Sequence, residues 1–109
     1  MRFRVTFAPT ADLSFPRLPR WARERFNDGF DWLEADPRQG SGPIDIHQLY
    51  GYRNVWTWRV PPFRAVYAID GDEVVMIIFG HRDNVYQELH SLLPPRKQEV
   101  TGSRLSKRR

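Results

Sequence analysis

Residues 55–86 read VWTWRVPPFRAVYAIDGDEVVMIIFGHRDNVY and contain three β-prone runs with little between them. The first run, Val55–Val60, alternates large apolar and polar side chains, which is typical of a half-buried strand. The second run is Phe63–Ile69 and the third is Glu73–Phe79. Because the connections are so short, the stretch predicts a meander of three antiparallel strands.

Turn-forming residues separate these runs. Pro61-Pro62 ends the first one, since proline cannot donate to a sheet ladder. Asp70-Gly71-Asp72 predicts a hairpin, because glycine tolerates the positive φ of a tight turn. Val74–Phe79 is entirely apolar, which indicates a strand buried on both faces in the middle of a sheet.

Polar side chains follow the third run directly after Gly80. The predicted meander would carry these side chains, together with the strand arginines, toward one surface. The candidate residues for that surface are Arg59, Arg64, His81, Arg82 and Tyr86.

Three strings of this region, W-x-W-R-V, F-R-A-V-Y-A-I-D-G-D and G-H-R-D-N-V-Y, resemble the RelE/ParE superfamily of bacterial and archaeal toxins. The similarity is strong over roughly 38 residues and rests on the order and spacing of the motifs rather than on any single one. The residues that fall in the family pattern are Leu49, Gly51, Arg59, Arg64, Tyr67, Gly80, His81, Arg82 and Tyr86.

The segments on either side of the meander agree with an α+β fold. Arg2–Phe7 alternates as a first strand does. Ala22, Phe26, Phe30 and Leu33 form one face of a main helix that begins near Pro19, and we assign this apolar stripe to the core. Within that helix, Gly29 either weakens it or allows close packing of the backbone.

The remaining elements complete the predicted fold. Ile44–Tyr50 is an extended connection or a short edge strand, and Val85, Leu89 and Leu92 predict a short C-terminal helix that ends at Pro94-Pro95. We therefore expect a small antiparallel sheet of about four strands. N-terminal helices should pack on one face of it, with a short C-terminal helix at the end.

Length and charge divide the chain into a domain, residues 1–93, and a basic tail, residues 94–109. The 109 residues fit one domain with its own core. The tail has six basic residues and one acidic residue, a net of +5, and few apolar groups, so it is predicted to be disordered. The other 93 residues hold 11 basic and 12 acidic residues, a net of −1, so a phosphate site there must be a local cluster.

Composition also narrows the class of protein. The chain has no cysteine, which excludes disulfides and thiolate metal sites. It has no apolar run near the ~20 residues of a membrane span and no signal-peptide core, so a cytoplasmic location without membrane contact is predicted.

The resemblance implies a function. The RelE-like branch of the superfamily cleaves mRNA in the ribosomal A site without a metal or other cofactor, by attack of the ribose 2′-OH on the adjacent phosphate. Such an enzyme must deprotonate the 2′-OH, stabilise charge on the phosphate and protonate the leaving 5′-oxygen. Arginine suits the second task, because its guanidinium grips phosphate oxygens and stays charged.

On this basis the predicted catalytic residues are Arg64, His81, Arg82 and Tyr86. Arg59 and Trp58 are predicted to contact the substrate, the tryptophan by stacking on a base. Imidazole titrates near neutral pH, which makes His81 the acid–base candidate of this cluster. We interpret His47 and His90 as surface residues.

One departure from the family pattern keeps other functions open. Some active members have two lysines on the strand that corresponds to Val55–Val60, where this chain has Thr57 and Arg59. Neither residue can serve as a base. The first alternative is a ParE-like protein, which poisons DNA gyrase by protein contact, and the second is a non-catalytic binding module of the same fold.

The resemblance also implies partners. A toxin of this kind pairs with a small cognate antitoxin, whose contact surface this sequence does not locate. A nuclease would in addition meet mRNA on the ribosome. Such pairs usually repress their own promoter, with the antitoxin supplying the DNA-binding part, so operator DNA would be reached only through the antitoxin.

Overall fold

The computed structural model describes residues 2–40 and 42–93. Over these residues the chain forms five strands, three α-helices and one short 3-10 helix at Phe15–Arg17. The strands are β1 Arg4–Phe7, β2 Asp45–Gln48, β3 Val55–Val60, β4 Phe63–Asp70 and β5 Glu73–His81, and the helices are α1 Pro9–Ser14, α2 Arg20–Ala35 and α3 Val85–Leu92.

The strands form a single sheet in the order β1-β5-β4-β3-β2. The predicted meander is confirmed: β3 pairs antiparallel with β4, and β4 with β5. A two-residue loop at Gly71 and Asp72 joins β4 to β5, with a φ of 62° at the glycine. β5 lies between two neighbours, as its apolar sequence indicates.

The two outer strands differ from the expected sheet. The segment that the sequence leaves as a connection or an edge strand is β2, a fifth strand that pairs antiparallel with β3. β1 pairs parallel with β5 rather than antiparallel, so the sheet is mixed. The reason is topological: α1 and α2 follow β1 and carry the chain to the opposite edge of the sheet before β2 begins.

The main core lies between α2 and one face of the sheet, as predicted. Ala22, Phe26 and Leu33 of α2 are fully buried there, against Trp58 of β3 and Tyr67 of β4. Phe26 meets the indole of Trp58 edge to face, with ring centroids 4.9 Å apart. The N-terminal helices therefore cover this face of the sheet.

Gly29 sets how closely α2 approaches the sheet. A Cβ at this position would overlap the six-membered ring of the Trp58 indole and contact Ile44. Of the two roles that the sequence leaves open for this glycine, close packing is the one found.

The opposite face of the sheet is only partly covered. Val85 and Leu89 of α3 are buried on it against Val55, Val66 and Ile78. Because α3 is only eight residues long, it leaves the polar side chains of β2 and the Arg59 side chain of β3 at least partly uncovered beside it. These side chains form part of the candidate site.

The β1 edge of the sheet is closed by α2. The amide of Phe3 donates to the backbone carbonyl of Glu34 (2.9 Å), and the amide of Val5 donates to its carboxylate (3.1 Å). A strand edge with paired amides is a poor template for adding another chain.

The sequence also makes predictions about the C-terminal tail and about membrane-spanning segments. The tail predicted to be disordered, residues 94–109, lies outside the described residues. Among the helices of the described part, none has both the length and the apolar character needed to cross a membrane.

Candidate active site

Three side chains from three elements meet on the face that carries α3. Nη1 of Arg64, on β4, donates to the hydroxyl of Tyr86, on α3, at 2.9 Å. The same hydroxyl lies 3.1 Å from Oγ1 of Thr57, on β3. The Arg64 guanidinium also lies 5.4 Å from the centroid of the Tyr86 ring, within the range of a cation–π contact. Thr57 is 2% exposed, and its hydroxyl fixes the position of the Tyr86 hydroxyl.

The two strand arginines stand opposite each other. Arg59 on β3 and Arg64 on β4 are directly paired in the register, and both are half-buried. In the described part of the chain neither has a carboxylate within 4.0 Å, and the buried Nε of Arg59 has no hydrogen-bond partner. Like charges on opposing strand positions repel by up to about 1 kcal/mol. An anion between the two guanidinium groups would remove this repulsion.

A groove of about 530 Å³ opens beside this cluster. It runs between β2, the segment after β2, β3 and the first turn of α3. Tyr50 stands at its border and is 98% exposed, so one face of its ring is free. The groove is lined by His47, Gln48, Leu49, Tyr50, Thr57, Arg59 and Tyr86.

His47, which the sequence analysis interprets as a surface residue, lines this groove. It is the register partner of Thr57, so both side chains lie on the same face. Its Nε2 lies 2.7 Å from Oδ1 of Asp45, two residues earlier on the same strand. A signal was present in the sequence, because an i, i+2 pair of Asp and His on a strand shares one face. The imperfect alternation of Ile44–Tyr50 made this pair hard to recognise.

The structure does not bring His81 together with Arg64 and Tyr86. His81 pairs in register with Phe63, and its ring stands edge to face with that phenylalanine at 5.8 Å. Arg64 pairs with the neighbouring Gly80, and alternation along the strands therefore places His81 on the other face. It lines a separate groove with residues of α1 and the 3-10 helix, among them Leu13 and Arg17.

Arg82 follows His81 and points to solvent. Its side chain is 58% exposed, and its Nε lies 3.9 Å from the carboxylate of Asp83. Its backbone amide donates to the carbonyl of Pro62 at 2.9 Å, which fixes the turn after β5. Of the five residues predicted for one surface, Arg59, Arg64 and Tyr86 are thus gathered on the α3 face.

The predicted stacking role of Trp58 is wrong. Its side chain is 1% exposed and packs against Phe26 and Phe30, with ring centroids 4.9 and 5.6 Å away. The alternation of β3 places Trp58 on the face against which α2 packs. An indole enclosed in this way has no free surface for a base.

Tyr67, another position of the family pattern, is also a core residue. It is fully buried, and its hydroxyl donates to the carbonyl of Pro37 at 2.6 Å. Burial, with a smaller contribution from the negative charge of Asp36, raises the pKa of this hydroxyl well above its ordinary range. Burial also raises the pKa of Tyr52, whose ring lies 6.2 Å from that of His90 on α3.

No metal-binding cluster is apparent in residues 2–40 and 42–93. No three His, Asp or Glu side chains converge there in a way that would hold an ion.

The fold is that of known toxins. The chain is similar to the RelB–RelE antitoxin–toxin complex from Methanococcus jannaschii, with 22% identity, a TM-score of 0.65, and coverage of 75% of this chain and 95% of that one. It is similar to the RelBE2 toxin–antitoxin complex from Mycobacterium tuberculosis, with 23% identity and a TM-score of 0.61 over 75% of this chain and 100% of that one. At these identities the likeness establishes the fold. No curated protein matches the chain by sequence.

The family follows from the sequence model that matches. The model described as "ParE toxin of type II toxin-antitoxin system, parDE" matches residues 5–86. The chain therefore belongs to the ParE toxin family, within the RelE/ParE superfamily of type II toxin–antitoxin toxins.

Proposed function

We propose that this toxin is a ribosome-dependent mRNA endonuclease that cleaves by attack of the ribose 2′-OH on the adjacent phosphate. The observation that carries the proposal is the pair of half-buried arginines, Arg59 and Arg64, which face each other without a carboxylate partner in the described residues. Two such cations beside an open groove match a phosphate diester, whose charge grows in the transition state.

Arg64 is the residue that we assign to the scissile phosphate. Tyr86 accepts one of its N–H groups at 2.9 Å, which orients the guanidinium while leaving its other donors available. Thr57, 3.1 Å from the same hydroxyl, holds the tyrosine in place. In this proposal Thr57 supports the geometry of the site and takes no part in proton transfer.

The groove gives the nucleotide its place. Arg59 lines it and would contact the phosphate from the side opposite Arg64. Tyr50 and Tyr86 offer aromatic surface for a base, and stacking on such a ring contributes about 1–3 kcal/mol per base. Exposed Arg82 would contact the RNA backbone outside the groove.

The predicted acid–base role of His81 stays a prediction, and its position in a separate groove weighs against it. A cognate antitoxin is the second partner that we propose. The solved relatives from Methanococcus jannaschii and Mycobacterium tuberculosis are complexes of a toxin with its antitoxin. Operator DNA would be reached through that antitoxin.

The test is induction of the chain in a bacterial host, followed by primer extension on a cellular mRNA. Arg64→Ala is compared with Arg4→Ala, a matched change at an exposed arginine on β1, at the far edge of the sheet. We expect growth arrest with codon-phased cuts in the wild type and in Arg4→Ala, and loss of both in Arg64→Ala. No arrest in any form would contradict the proposal.

A gyrase poison is the second candidate function, and the match to the ParE family model favours it. The same experiment separates the two functions. Arrest with intact mRNA and an induced DNA-damage response would identify the gyrase poison. In that case Arg64→Ala would leave the arrest unchanged.

A further inference from the structure

We infer that His47 is the general base of this site and that Asp45 orients it. The inference rests on the proposed nuclease function and names the group that removes the 2′-OH proton. This chain lacks, on β3, the two lysines that some active members have. In the inferred site an imidazole on the adjacent strand takes their place.

The geometry places His47 where such a base is needed. It lies on β2 as the register partner of Thr57, which binds Tyr86, which in turn binds Arg64. His47, Arg59 and Tyr86 all line the same groove. Its side chain is 47% exposed, so a nucleotide can reach it.

Asp45 determines which nitrogen of the ring is available. Its Oδ1 lies 2.7 Å from Nε2 of His47, and a carboxylate accepts the N–H of a neutral imidazole at this distance. The hydrogen atom is then on Nε2, and Nδ1 carries the lone pair. Asp45 is also the register partner of Arg59, yet no ion pair joins them within 4.0 Å. The carboxylate is therefore committed to the histidine and leaves the arginine for the phosphate.

The reaction step balances without further reagents. Nδ1 of His47 takes the proton of the ribose 2′-OH, and the 2′-oxygen forms a bond to phosphorus. The bond from phosphorus to the 5′-oxygen breaks, and that oxygen takes a proton from water. The products are a 2′,3′-cyclic phosphate and a free 5′-OH, and the histidine returns its proton to solvent.

The charged and titratable groups around the ring come from four elements. Asp45 on β2 is the negative charge beside the ring, and Arg59 on β3 and Arg64 on β4 are the positive charges on the same face of the sheet. Tyr86 on α3 lines the groove and accepts a hydrogen bond from Arg64. A phosphate bound to the arginines would offset their charge.

The experiment measures single-turnover cleavage of mRNA on purified ribosomes over a range of pH. The variants are His47→Ala and Asp45→Asn, with His90→Ala as the matched control at an exposed histidine, His81→Ala as the test of the rival base and Arg64→Ala as the test of the site itself. Both His47 and Asp45 are exposed, so folding should be unaffected, and thermal unfolding checks this.

We expect His47→Ala to lower the rate by about 10²–10⁴-fold, the usual contribution of a general base. The increase of the cleavage rate with pH should disappear in this variant. Added imidazole should restore part of the lost rate. Asp45→Asn should give a smaller loss and shift the pH profile, because it removes the carboxylate charge 2.7 Å from the ring. His90→Ala should cleave as the wild type does.

The outcomes separate the two proposals. If Arg64→Ala abolishes cleavage and His47→Ala does not, the role of His47 is overturned and the proposed nuclease function is supported. Cleavage lost in His81→Ala but not in His47→Ala would give the base to His81. A wild type that leaves mRNA intact on the ribosome would overturn both the nuclease and the base.

Discussion

Tyr67 is expected to link the stability of the protein to alkaline pH. An ordinary tyrosine has a pKa of about 10, and burial beside Asp36 raises that of Tyr67 well above this value. The folded protein therefore keeps this proton above pH 10, whereas the unfolded chain releases it. The stabilising contribution is fully present below pH 10 and is lost as the pH rises further, by up to about 1.4 kcal/mol per pH unit.

Urea unfolding between about pH 9 and pH 11.5 checks this expectation. Tyr67→Phe leaves the carbonyl of Pro37 without its donor, which lowers the free energy of unfolding at pH 9 by about 1–3 kcal/mol. It should also make the decline with pH less steep than in the wild type. Tyr50→Phe, at a 98% exposed residue, is the control and should change neither quantity. Equal slopes in Tyr67→Phe and the wild type would contradict the raised pKa.

Single residues also mark how far the sequence determines the candidate site. The alternation of β3 correctly separates Trp58 from Thr57 and Arg59. It does not reveal that α2 encloses the tryptophan or that Tyr86 makes Thr57 a buried partner, because both depend on contacts between distant segments. His47 was missed for the same reason, since its importance comes from Arg59 and Tyr86 across the groove.

At the level of elements, the packing of α2 on β3 predicts an unusual effect of a helix substitution. Gly→Ala inside a helix ordinarily stabilises it by about 1 kcal/mol. At Gly29 the added methyl group would overlap the indole of Trp58, so we expect Gly29→Ala to lower the free energy of unfolding by about 1–3 kcal/mol. Asn27→Ala, at an exposed position of the same helix, should be neutral or stabilising by a few tenths of a kcal/mol. Chemical denaturation of both variants gives the comparison, and a stabilised Gly29→Ala would mean that α2 shifts freely on the sheet.

The strands show which elements can be predicted from sequence and which cannot. The meander β3-β4-β5 follows from local signals, since period-two alternation and a glycine turn act over a few residues. The position of β1 in the sheet does not follow from local signals, because its alternation is compatible with either edge of the sheet and with either strand direction. Its parallel pairing with β5 depends on the path of α1 and α2 across the sheet, and Glu34 of α2 binds the amides on its outer side.

On the scale of the whole molecule, charge is unevenly distributed along the chain. Residues 1–93 have a net charge of −1 and residues 94–109 a net charge of +5. The two arginines beside the groove are thus a local positive cluster in a nearly neutral part of the chain, and non-specific affinity for RNA should come from the tail. Counterion release makes such affinity depend steeply on salt, with a slope of about 0.7 per neutralised phosphate for single strands.

We therefore predict that neutralising the tail in the full chain weakens its binding to a short single-stranded RNA. It should lower the slope of log K against log salt by up to about 4, because six charges are removed. Fluorescence anisotropy over a range of salt gives the slope, and replacing Gln98, Ser103 and Ser106 with alanine changes the tail without changing its charge. Equal slopes for the neutralised chain and this control would place the phosphate contacts in the groove, at Arg59 and Arg64. The residues changed to glutamine are Arg96, Lys97, Arg104, Lys107, Arg108 and Arg109.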